Sequence, residues 1–442
     1  MLKSVFGNPF LELASTKIKD ASYPVPFTPG LEFNAPVHGT WNIVHIGLQV
    51  PGAHQIYVCA TNCMRGVVLT AAEMNASDRF SYVLLEEKDI INGTVEQVTI
   101  DGVIDVLGKL PKLPPFVFLF TVCTHRFLSC DLDYIYKKLE QAYPEVVFVR
   151  CTMEPITQKE GRIPDALLRD AMFTPLKKKE TDETQVTFMG SDFAPAPDSD
   201  LVRMLKQNGM HMECLANCKT VEEYYNLAAG KVIVSAYPLG KDGAAATAER
   251  LGIPHLHLPM NFSYDENERN LKKLATALNI KCLDIDAEIT RCEEALEMAQ
   301  LVVRDTPIEI DAKVHPRPLS LARLLLDHGF NVTTVYLDSI SAEEEKDFKW
   351  LQHNFPNLLL VSASQTMNRV IPRGSDEKTL ALGPLAAWYT DTPYFVNVVQ
   401  GGDLIGFGGI CRMCDLMADA FQKPKDTEQL VPLKGLGCES CV

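Results

Sequence analysis

Short apolar runs alternate with amphipathic segments along most of the chain. Four runs in the N-terminal part are continuously apolar, which is typical of strands buried on both faces of a parallel sheet. They are "QIYVC", "FSYVLLEE", "PFVFLFTVC" and "VVFVRC", and segments with helical spacing lie between them. The alternation resumes after the polar stretch "TPLKKKETDETQ" and again near Pro307. The pattern predicts an α/β protein with three doubly wound, Rossmann-like lobes on parallel sheets and a cleft between the lobes.

Changes in this pattern divide the chain into five predicted parts. They are an irregular N-terminal segment (1–54), an N-terminal αβ lobe (55–180), a middle αβ lobe (181–300), a C-terminal αβ lobe (301–425) and a cysteine-containing tail (426–442). Within the middle lobe, Asp198 or Ser199 is expected to cap the helix "DLVRMLKQNG".

Composition narrows the class of protein. A chain of 442 residues is too long for one hydrophobic core, and 46% hydrophobic with 22% charged residues is ordinary for a soluble protein. The net charge of −15 argues against nucleic acid as a partner, because phosphates require a basic surface. No secretory leader is evident and no apolar run is long enough to cross a bilayer. We therefore expect a cytoplasmic protein, without a membrane partner, whose thirteen cysteines stay reduced.

Phosphate-binding signatures are missing from the sequence. No G-x-x-x-x-G-K-[ST] motif occurs, and "GFGG" at 406–409 lacks the spacing of a dinucleotide-binding loop. If ATP is used, we expect another chain to bind it.

The candidate chemistry lies in the cysteines of the N-terminal lobe. Cys59 and Cys63 directly follow one predicted strand, Cys123 ends another, and Cys130 begins a helix. Ligands of open α/β sheets bind at the carboxyl ends of strands, and soft thiolates select iron–sulfur clusters or zinc. The C-x₃-C spacing also suits zinc, and each cysteine taken singly is equally a buried apolar residue.

Other cysteines and polar residues are secondary candidates. Two C-x-x-C pairs, Cys411/Cys414 and Cys438/Cys441, suggest a shared metal site, or else a pair at a helix start and an unrelated pair in the tail. Imidazole ligation or proton donation is considered for His38 and His125, and charge compensation for Arg65 and Arg126. Cleft lining is considered for Cys151, and a packing role is expected for Cys214, Cys218, Cys282 and Cys292.

These features together resemble the nitrogenase component 1 superfamily. The resemblance rests on the three lobes, a thiol after the first strand, and the segment "FTVCTHRFLSCDLD". The segment "VLLEEKDIINGTVEQVTIDGV" is similar to the family's acidic strand end that leads through a glycine into a helix, here Glu87, Asp89 and Gly93. The resemblance to the family extends from about residue 35 to about residue 425.

The resemblance implies a ligand set. In that family three cysteines per subunit hold a bridging iron–sulfur cluster at a subunit interface. Cys123 corresponds to the last of them, with Asp131 as the acid downstream, and Cys63 or Cys59 corresponds to the second. The first has no counterpart, and His38 stands near its expected place. The implied altered set is Cys59, Cys63, Cys123 and Cys130, bound to a [4Fe–4S] or larger bridging cluster.

The resemblance also implies a function. The cysteine that holds the family's large catalytic cofactor is replaced by the stretch Ser235, Ala236 and Tyr237, and the anchoring histidine is absent, so dinitrogenase activity is not expected. Cys411 or Cys414 is considered as an alternative anchor. The expected protein is an oxidoreductase, a homodimer or a heterodimer with a paralogue. It would take low-potential electrons from an ATP-dependent iron-protein partner and pass them to a substrate in the inter-lobe cleft. The alternatives are a cluster-assembly scaffold and a zinc-stabilised α/β binding protein; no catalytic residue is predicted.

Overall fold

The structure is a computed structural model, and it describes residues 14–28, 30–39, 42–154, 163–369, 373–374 and 377–431. Contacts divide the chain into two compact units. Among the described residues, the two-sheet unit comprises 42–154, 163–194 and 210–258. The one-sheet unit comprises the described residues that remain, which lie in 14–39, 195–209 and 259–431.

The strands are short, as expected for continuous apolar runs between helices. In chain order they are β1 (Ser15–Lys17), β2 (Ala53–Cys59), β3 (Phe80–Leu84), β4 (Phe116–Val122), β5 (Val147–Met153), β6 (Asp182–Phe188), β7 (His211–Cys214), β8 (Gly230–Ser235), β9 (His255–His257), β10 (Ile308–Asp311), β11 (Val332–Tyr336), β12 (Leu359–Val361), β13 (Leu380–Leu382) and β14 (Phe395–Val396).

The α-helices connect these strands. They are α1 (Ile43–Leu48), α2 (Thr61–Glu73), α3 (Glu87–Ile91), α4 (Val95–Lys109), α5 (Cys123–Phe127), α6 (Leu132–Ala142), α7 (Pro164–Ala171), α8 (Asp200–Gln207), α9 (Val221–Asn226), α10 (Lys241–Leu251), α11 (Tyr264–Leu278), α12 (Ile285–Val303), α13 (Pro318–Asp327), α14 (Glu345–Asn354), α15 (Pro384–Thr390) and α16 (Gly406–Gln422).

The N-terminal sheet is fully parallel, with strand order β3-β2-β4-β5. Its two faces are covered by different apolar clusters. Tyr57 and Phe118 point to one cluster, while Ile56 and Val117 point to the other. Alternate residues of one strand thus enter opposite cores, which explains why β2 and β4 read as continuous apolar runs.

The middle sheet has the order β7-β6-β8-β9 and is also parallel. Within the two-sheet unit it shares an apolar cluster with the N-terminal sheet, since Met189 and Ile233 join the residues that pack behind β4. The loops after β6 and β8 approach closely. A Cβ on Gly240 would lie 1.9 Å from the Gly190 carbonyl oxygen, and Gly190 itself has φ +83°, so both positions require glycine.

The sheet of the one-sheet unit has the order β1-β12-β11-β10-β13-β14. Strand β1 pairs antiparallel with β12, and the other neighbours are parallel. The predicted α/β class with three doubly wound sheets is therefore confirmed, with one antiparallel edge strand added.

The divisions of the chain differ in places from those expected. The segment 1–54, expected to be irregular, contributes β1 to a sheet and α1 to the two-sheet unit. The middle lobe was expected to run to residue 300, yet α11 and α12 belong to the one-sheet unit, where α12 packs against α16. The helix after β6 begins as expected, because Ser199 Oγ accepts the N–H of Val202 at 3.5 Å.

Candidate metal centre

The N-terminal sheet has a topological switch point. From β2 the chain continues to β3 on one side, while β4 lies on the other side. Ligands of open α/β sheets bind at such a point, which here is the carboxyl ends of β2 and β4. Three of the predicted thiols lie at this edge. Cys59 is the last residue of β2, Cys63 lies in the first turn of α2, and Cys123 is the first residue of α5, directly after β4.

The three thiols differ in their surroundings. Cys59 is fully buried and packs in the apolar cluster that also contains Tyr57. Burial, with a smaller contribution from the neighbouring Cys63, raises the pKa of the Cys59 thiol to about 12. Cys63 is exposed and Cys123 is half-buried. Cys63 and Cys123 are therefore the thiols that an incoming group or a second chain reaches first.

Cys130, the fourth predicted ligand, lies in a different environment. It follows Ser129, whose φ of +52° turns the chain, and its N–H is donated to the His125 carbonyl at 2.9 Å. Its side chain packs against the cluster on the sheet face opposite to the one that Cys59 faces. Burial, followed by the nearby Glu96, raises the pKa of the Cys130 thiol. The structure thus does not bring Cys59 and Cys130 together.

His125 fixes the start of α5 rather than offering a free imidazole. Its Nδ1 accepts the N–H of Val122 at 3.3 Å, so the proton is on Nε2, which lies 3.1 Å from Thr99 Oγ1. Burial lowers the pKa of His125 to about 4, so the ring is neutral near pH 7. His125 therefore holds the segment that carries Cys123 and is a poor proton donor.

A cavity of about 400 Å³ lies at the carboxyl ends of β4 and β5. Cys130, His125 and Cys151 line it, together with Arg126, whose guanidinium lies 3.4 Å from a Glu154 carboxylate oxygen. Because that arginine is already paired, its charge is largely compensated within the chain. Cys151 was expected from the sequence to line a cleft, whereas no sequence pattern indicates Glu154.

The acidic residues singled out by the resemblance have local structural roles. Asp131 caps α6, since its carboxylate accepts the N–H of Tyr134 at 2.9 Å. Asp89 accepts the N–H of Glu86 at 2.9 Å, and Gly93 adopts φ +67° in the turn before α4. These residues shape the helix starts on both sides of the switch point.

The arrangement of these thiols limits which metal ion or cluster they can hold. Within the described part of the chain, no cluster of three or more His, Cys, Asp or Glu side chains is placed to hold a metal ion by itself. A group shared between two chains requires fewer ligands from each. The exposed Cys63 and the half-buried Cys123 fit such a shared site, whereas Cys59 must leave its packed, protonated state to join it.

Apolar side chains flank the thiols at the same edge. Leu84 ends β3 beside Cys59, and α3 directly after it exposes Ile91 by 75%. On the other side, Phe127 of α5 is 69% exposed, and Leu128 follows it. Large apolar side chains grouped around one edge of a sheet are typical of a surface covered by another protein.

The remaining predicted ligands lie elsewhere. His38 belongs to the one-sheet unit, and its Nε2 is 2.5 Å from Asn397 Oδ1. Cys411 and Cys414 are also in that unit, on α16, and Cys411 lies beside Cys292. Cys438 and Cys441 lie outside the described residues, so the shared C-x-x-C site stays a prediction. The expected packing role of Cys214 and Cys218 agrees with their burial.

The carboxyl end of β8 holds a different set of polar groups. Ser235 is fully buried, and its Oγ lies 2.9 Å from His255 Nε2 and 2.9 Å from His257 Nδ1. One hydroxyl thus joins two imidazoles at the strand end where the resemblance placed a cofactor-binding cysteine in relatives. The sequence pattern indicates Ser235 but gives no signal for the two histidines, because β9 is only three residues long.

Comparison with known proteins decides the family. The family model for nitrogenase component 1 type oxidoreductases matches residues 44–375, three quarters of the chain. This chain belongs to that family. The match includes the N-terminal sheet and its switch-point thiols, the middle sheet, and strands β10, β11 and β12 of the sheet of the one-sheet unit.

Solved structures show the same fold. The structure of nitrogenase Cp1 at pH 6.5 has a TM-score of 0.65 and 10% identity, covering 90% of this chain and 95% of that chain. The structure of nitrogenase Cp1 at pH 5 has a TM-score of 0.56 and 11% identity, covering 93% and 94%. No helix in the described ranges is long and apolar enough to span a bilayer.

A curated protein matches a shorter stretch. An imidazole-4-carboxamide isomerase of Sulfurihydrogenibium sp. (strain YO3AOP1) is 26% identical over 152 residues, which is 32% of this chain. This chain spans 62% of the length of that relative. At this identity and span the match supports no assignment of the isomerase activity.

Proposed function

We propose that this chain is the reductase component of a nitrogenase-like system. It accepts low-potential electrons from a separate ATP-dependent iron-protein partner and passes them through an interface iron–sulfur cluster to a substrate. Family membership supports this proposal, and one structural observation carries it. Cys59, Cys63 and Cys123 flank the switch point of the N-terminal sheet, at an edge lined by exposed apolar side chains.

The ligands we propose are Cys63 and Cys123, with Cys59 as the third. A cluster bound by these thiolates supplies one-electron transfer at a potential set by its ligands, charge and exposure. Cys59 would need to lose a proton held by burial, so its ligation is expected to depend on pH. Cys130 is left outside the proposed set because it packs against the opposite face of the sheet.

The chain's own residues position this edge, and a second subunit would exclude water from it. His125 fixes the segment that carries Cys123 through its bonds to Val122 and Thr99. A second subunit, identical or paralogous, would cover Ile91 and Phe127, which are the most exposed apolar residues there. Excluding water from this edge would then tune the potential of a bound cluster.

The middle sheet argues for a substrate other than dinitrogen. Ser235, with its two imidazole partners, occupies the strand end at which relatives with the large catalytic cofactor carry a thiol. A buried hydroxyl is a weak ligand for soft iron–sulfur groups. We therefore propose a reductase whose substrate class differs from that of dinitrogenase.

Turnover tests this proposal against its alternatives. The chain is purified anaerobically and mixed with ATP, a low-potential reductant and an ATP-dependent iron protein of the nitrogenase type. Catalytic consumption of electrons, abolished in Cys123→Ser and kept in Cys282→Ser, is expected. Stoichiometric loss of cluster to an acceptor would instead indicate an assembly scaffold. Zinc without iron or acid-labile sulfide would indicate a zinc-stabilised binding protein.

A further inference from the structure

Two thiols face each other within the one-sheet unit. Cys292 lies in the middle of α12 and Cys411 in the second turn of α16, and these helices pack together. Their sulfur atoms are 3.8 Å apart. Cys292 is fully buried, whereas Cys411 is half-buried and therefore accessible to a small molecule.

Neighbouring carbonyl groups hold both thiols in place. Cys292 Sγ lies 3.3 Å from the Phe407 carbonyl oxygen, and Cys411 Sγ lies 3.7 Å from the Arg291 carbonyl oxygen. Each sulfur therefore has one carbonyl and one thiol as neighbours, and no rearrangement of the helices is needed to bring the two sulfurs face to face. Cys414, three residues after Cys411, is buried as well.

We propose that Cys292 and Cys411 form a reversible disulfide by exchange with a small-molecule disulfide such as oxidised glutathione. Cys411, the accessible thiol, attacks one sulfur of the small disulfide and forms a mixed disulfide, releasing one small thiol. Cys292 then attacks the Cys411 sulfur of the mixed disulfide and releases the second small thiol. The two chain thiols are oxidised, the small disulfide is reduced, and both protons end on the released thiols.

The two sulfur atoms need to move only a short distance to form this bond. A disulfide has an S–S length of about 2.05 Å, so the two sulfurs must approach by roughly 1.8 Å from their present separation. Side-chain rotation on two packed helices supplies movements of this size. The bond would join α12 to α16 across 119 residues of sequence, and it would remove the thiol donor from the Phe407 carbonyl at the start of α16.

This site goes beyond the proposed function and is independent of it. Both cysteines belong to the one-sheet unit, whereas the candidate cluster ligands belong to the two-sheet unit. Failure of the cluster assignment therefore leaves the disulfide untouched, and the reverse also holds.

Thiol mapping tests the proposal. The full chain is equilibrated anaerobically at a series of ratios of reduced to oxidised glutathione, alkylated, digested and analysed by mass spectrometry. The expected product is one crosslinked peptide pair containing Cys292 and Cys411, lighter by two hydrogen atoms and reversed by excess reduced glutathione. Absence of this pair at every ratio, or a Cys411–Cys414 or Cys292–Cys414 pair in its place, would overturn the proposal.

Single variants test the order of attack. Cys292→Ser should stop the reaction at the mixed disulfide on Cys411, visible as one added glutathione, while Cys411→Ser should give neither product. Cys282→Ser and Cys414→Ser should both retain the crosslink. If Cys414→Ser lost the crosslink while its circular dichroism stayed unchanged, Cys414 would be a partner in the disulfide, and the proposed pair of Cys292 and Cys411 would be wrong. Protection of Cys411 by bound zinc or iron in the purified chain would also contradict the proposal.

Discussion

Cysteines occur in two contrasting settings in this protein. At the carboxyl edge of the N-terminal sheet, Cys63 and Cys123 reach the surface beside exposed apolar side chains, and Cys63 lies near the buried Cys59. In the one-sheet unit, Cys292 and Cys411 face each other across two packed helices. In the first setting the thiols can be reached by a ligand or a second chain. In the second setting each thiol has another thiol of the same chain as its neighbour.

The contrast shows that spacing along the sequence is a weak guide to the role of a cysteine. Cys411 and Cys414 have the C-x-x-C spacing of a metal site, yet the structural neighbour of Cys411 is Cys292, 119 residues away. The contact between the two sulfurs lowers the pKa of the Cys411 thiol and raises the pKa of the Cys292 thiol. What surrounds a thiol, more than its spacing, decides whether it binds metal, pairs or packs.

The largest effect is expected from removing a proposed cluster ligand. Cys123→Ser and Cys63→Ser should each lower bound iron by more than roughly tenfold, because loss of even an outer-shell partner commonly costs about 10–100-fold in metal affinity. Iron and visible absorption of the anaerobically purified chain provide the measurement. Cys411→Ser, which alters a cysteine of the one-sheet unit, is the matched control, and this variant of the chain should retain its bound iron. Equal iron loss in Cys123→Ser and Cys411→Ser would remove the distinction between the two settings.

The exposed apolar side chains at the carboxyl edge of the N-terminal sheet should determine whether the chain forms an oligomer. Phe127→Asp should weaken the oligomer in which the chain purifies by at least roughly tenfold, since a buried aromatic anchor often carries about 2 kcal/mol or more of binding free energy. Sedimentation velocity over a dilution series measures this. Met298→Asp, which alters a side chain of similar exposure (63%) on α12, is the control and should leave assembly unchanged. An oligomer insensitive to Phe127→Asp would place the interface elsewhere.

Oxidation should stabilise the one-sheet unit. In the chain-entropy description, a disulfide closing a loop of about 100 residues adds up to about 4–5 kcal/mol to the free energy of unfolding, less any strain. Urea denaturation of the oxidised and reduced chain should show a higher midpoint for the oxidised form. The difference should vanish in Cys411→Ser. A lower midpoint after oxidation, with the crosslink mapped, would mean that the bond strains the packed helices.

The smallest effect is expected from Cys218, a buried thiol with a packing role only. Burial raises the pKa of Cys218 to about 12, above the ordinary value of 9.0. Its contribution to stability is therefore complete below pH 9 and is lost as the pH rises from 9 toward 12, by at most about 1.4 kcal/mol per pH unit. Cys218→Ala should flatten the alkaline fall in unfolding free energy, while Cys63→Ala, at an exposed site, should not. Parallel curves for wild type and Cys218→Ala would contradict this assignment.

Much of the fold follows from local patterns. The apolar runs ending at Cys59 and Cys123 predict β2 and β4, and the amphipathic stretches after them predict α4 and α6. The sequence pattern missed β13, which lies between β10 and β14, because three residues carry too little periodicity. It also missed that α12 belongs with α16, since that choice depends on contacts between distant helices.

The candidate site divides in the same way. Strand ends locate Cys59, Cys63 and Cys123, because parallel strands bring their carboxyl ends to one edge whatever the details of packing. Nothing local shows that Cys130 faces the opposite cluster or that Cys292 pairs with Cys411. Both depend on which side of a helix or turn meets the core, and this is fixed only by the tertiary structure.

One measurement tests most directly the claim that the edge of the N-terminal sheet binds an iron–sulfur cluster. The chain and its Cys123→Ser variant are purified anaerobically, iron and acid-labile sulfide are quantified, and EPR spectra are recorded after reduction. We predict iron and sulfide in near-equal amounts with a cluster signal in the wild type, and loss of both in the variant. Zinc alone in the wild type, or an unchanged signal in Cys123→Ser, would contradict the claim.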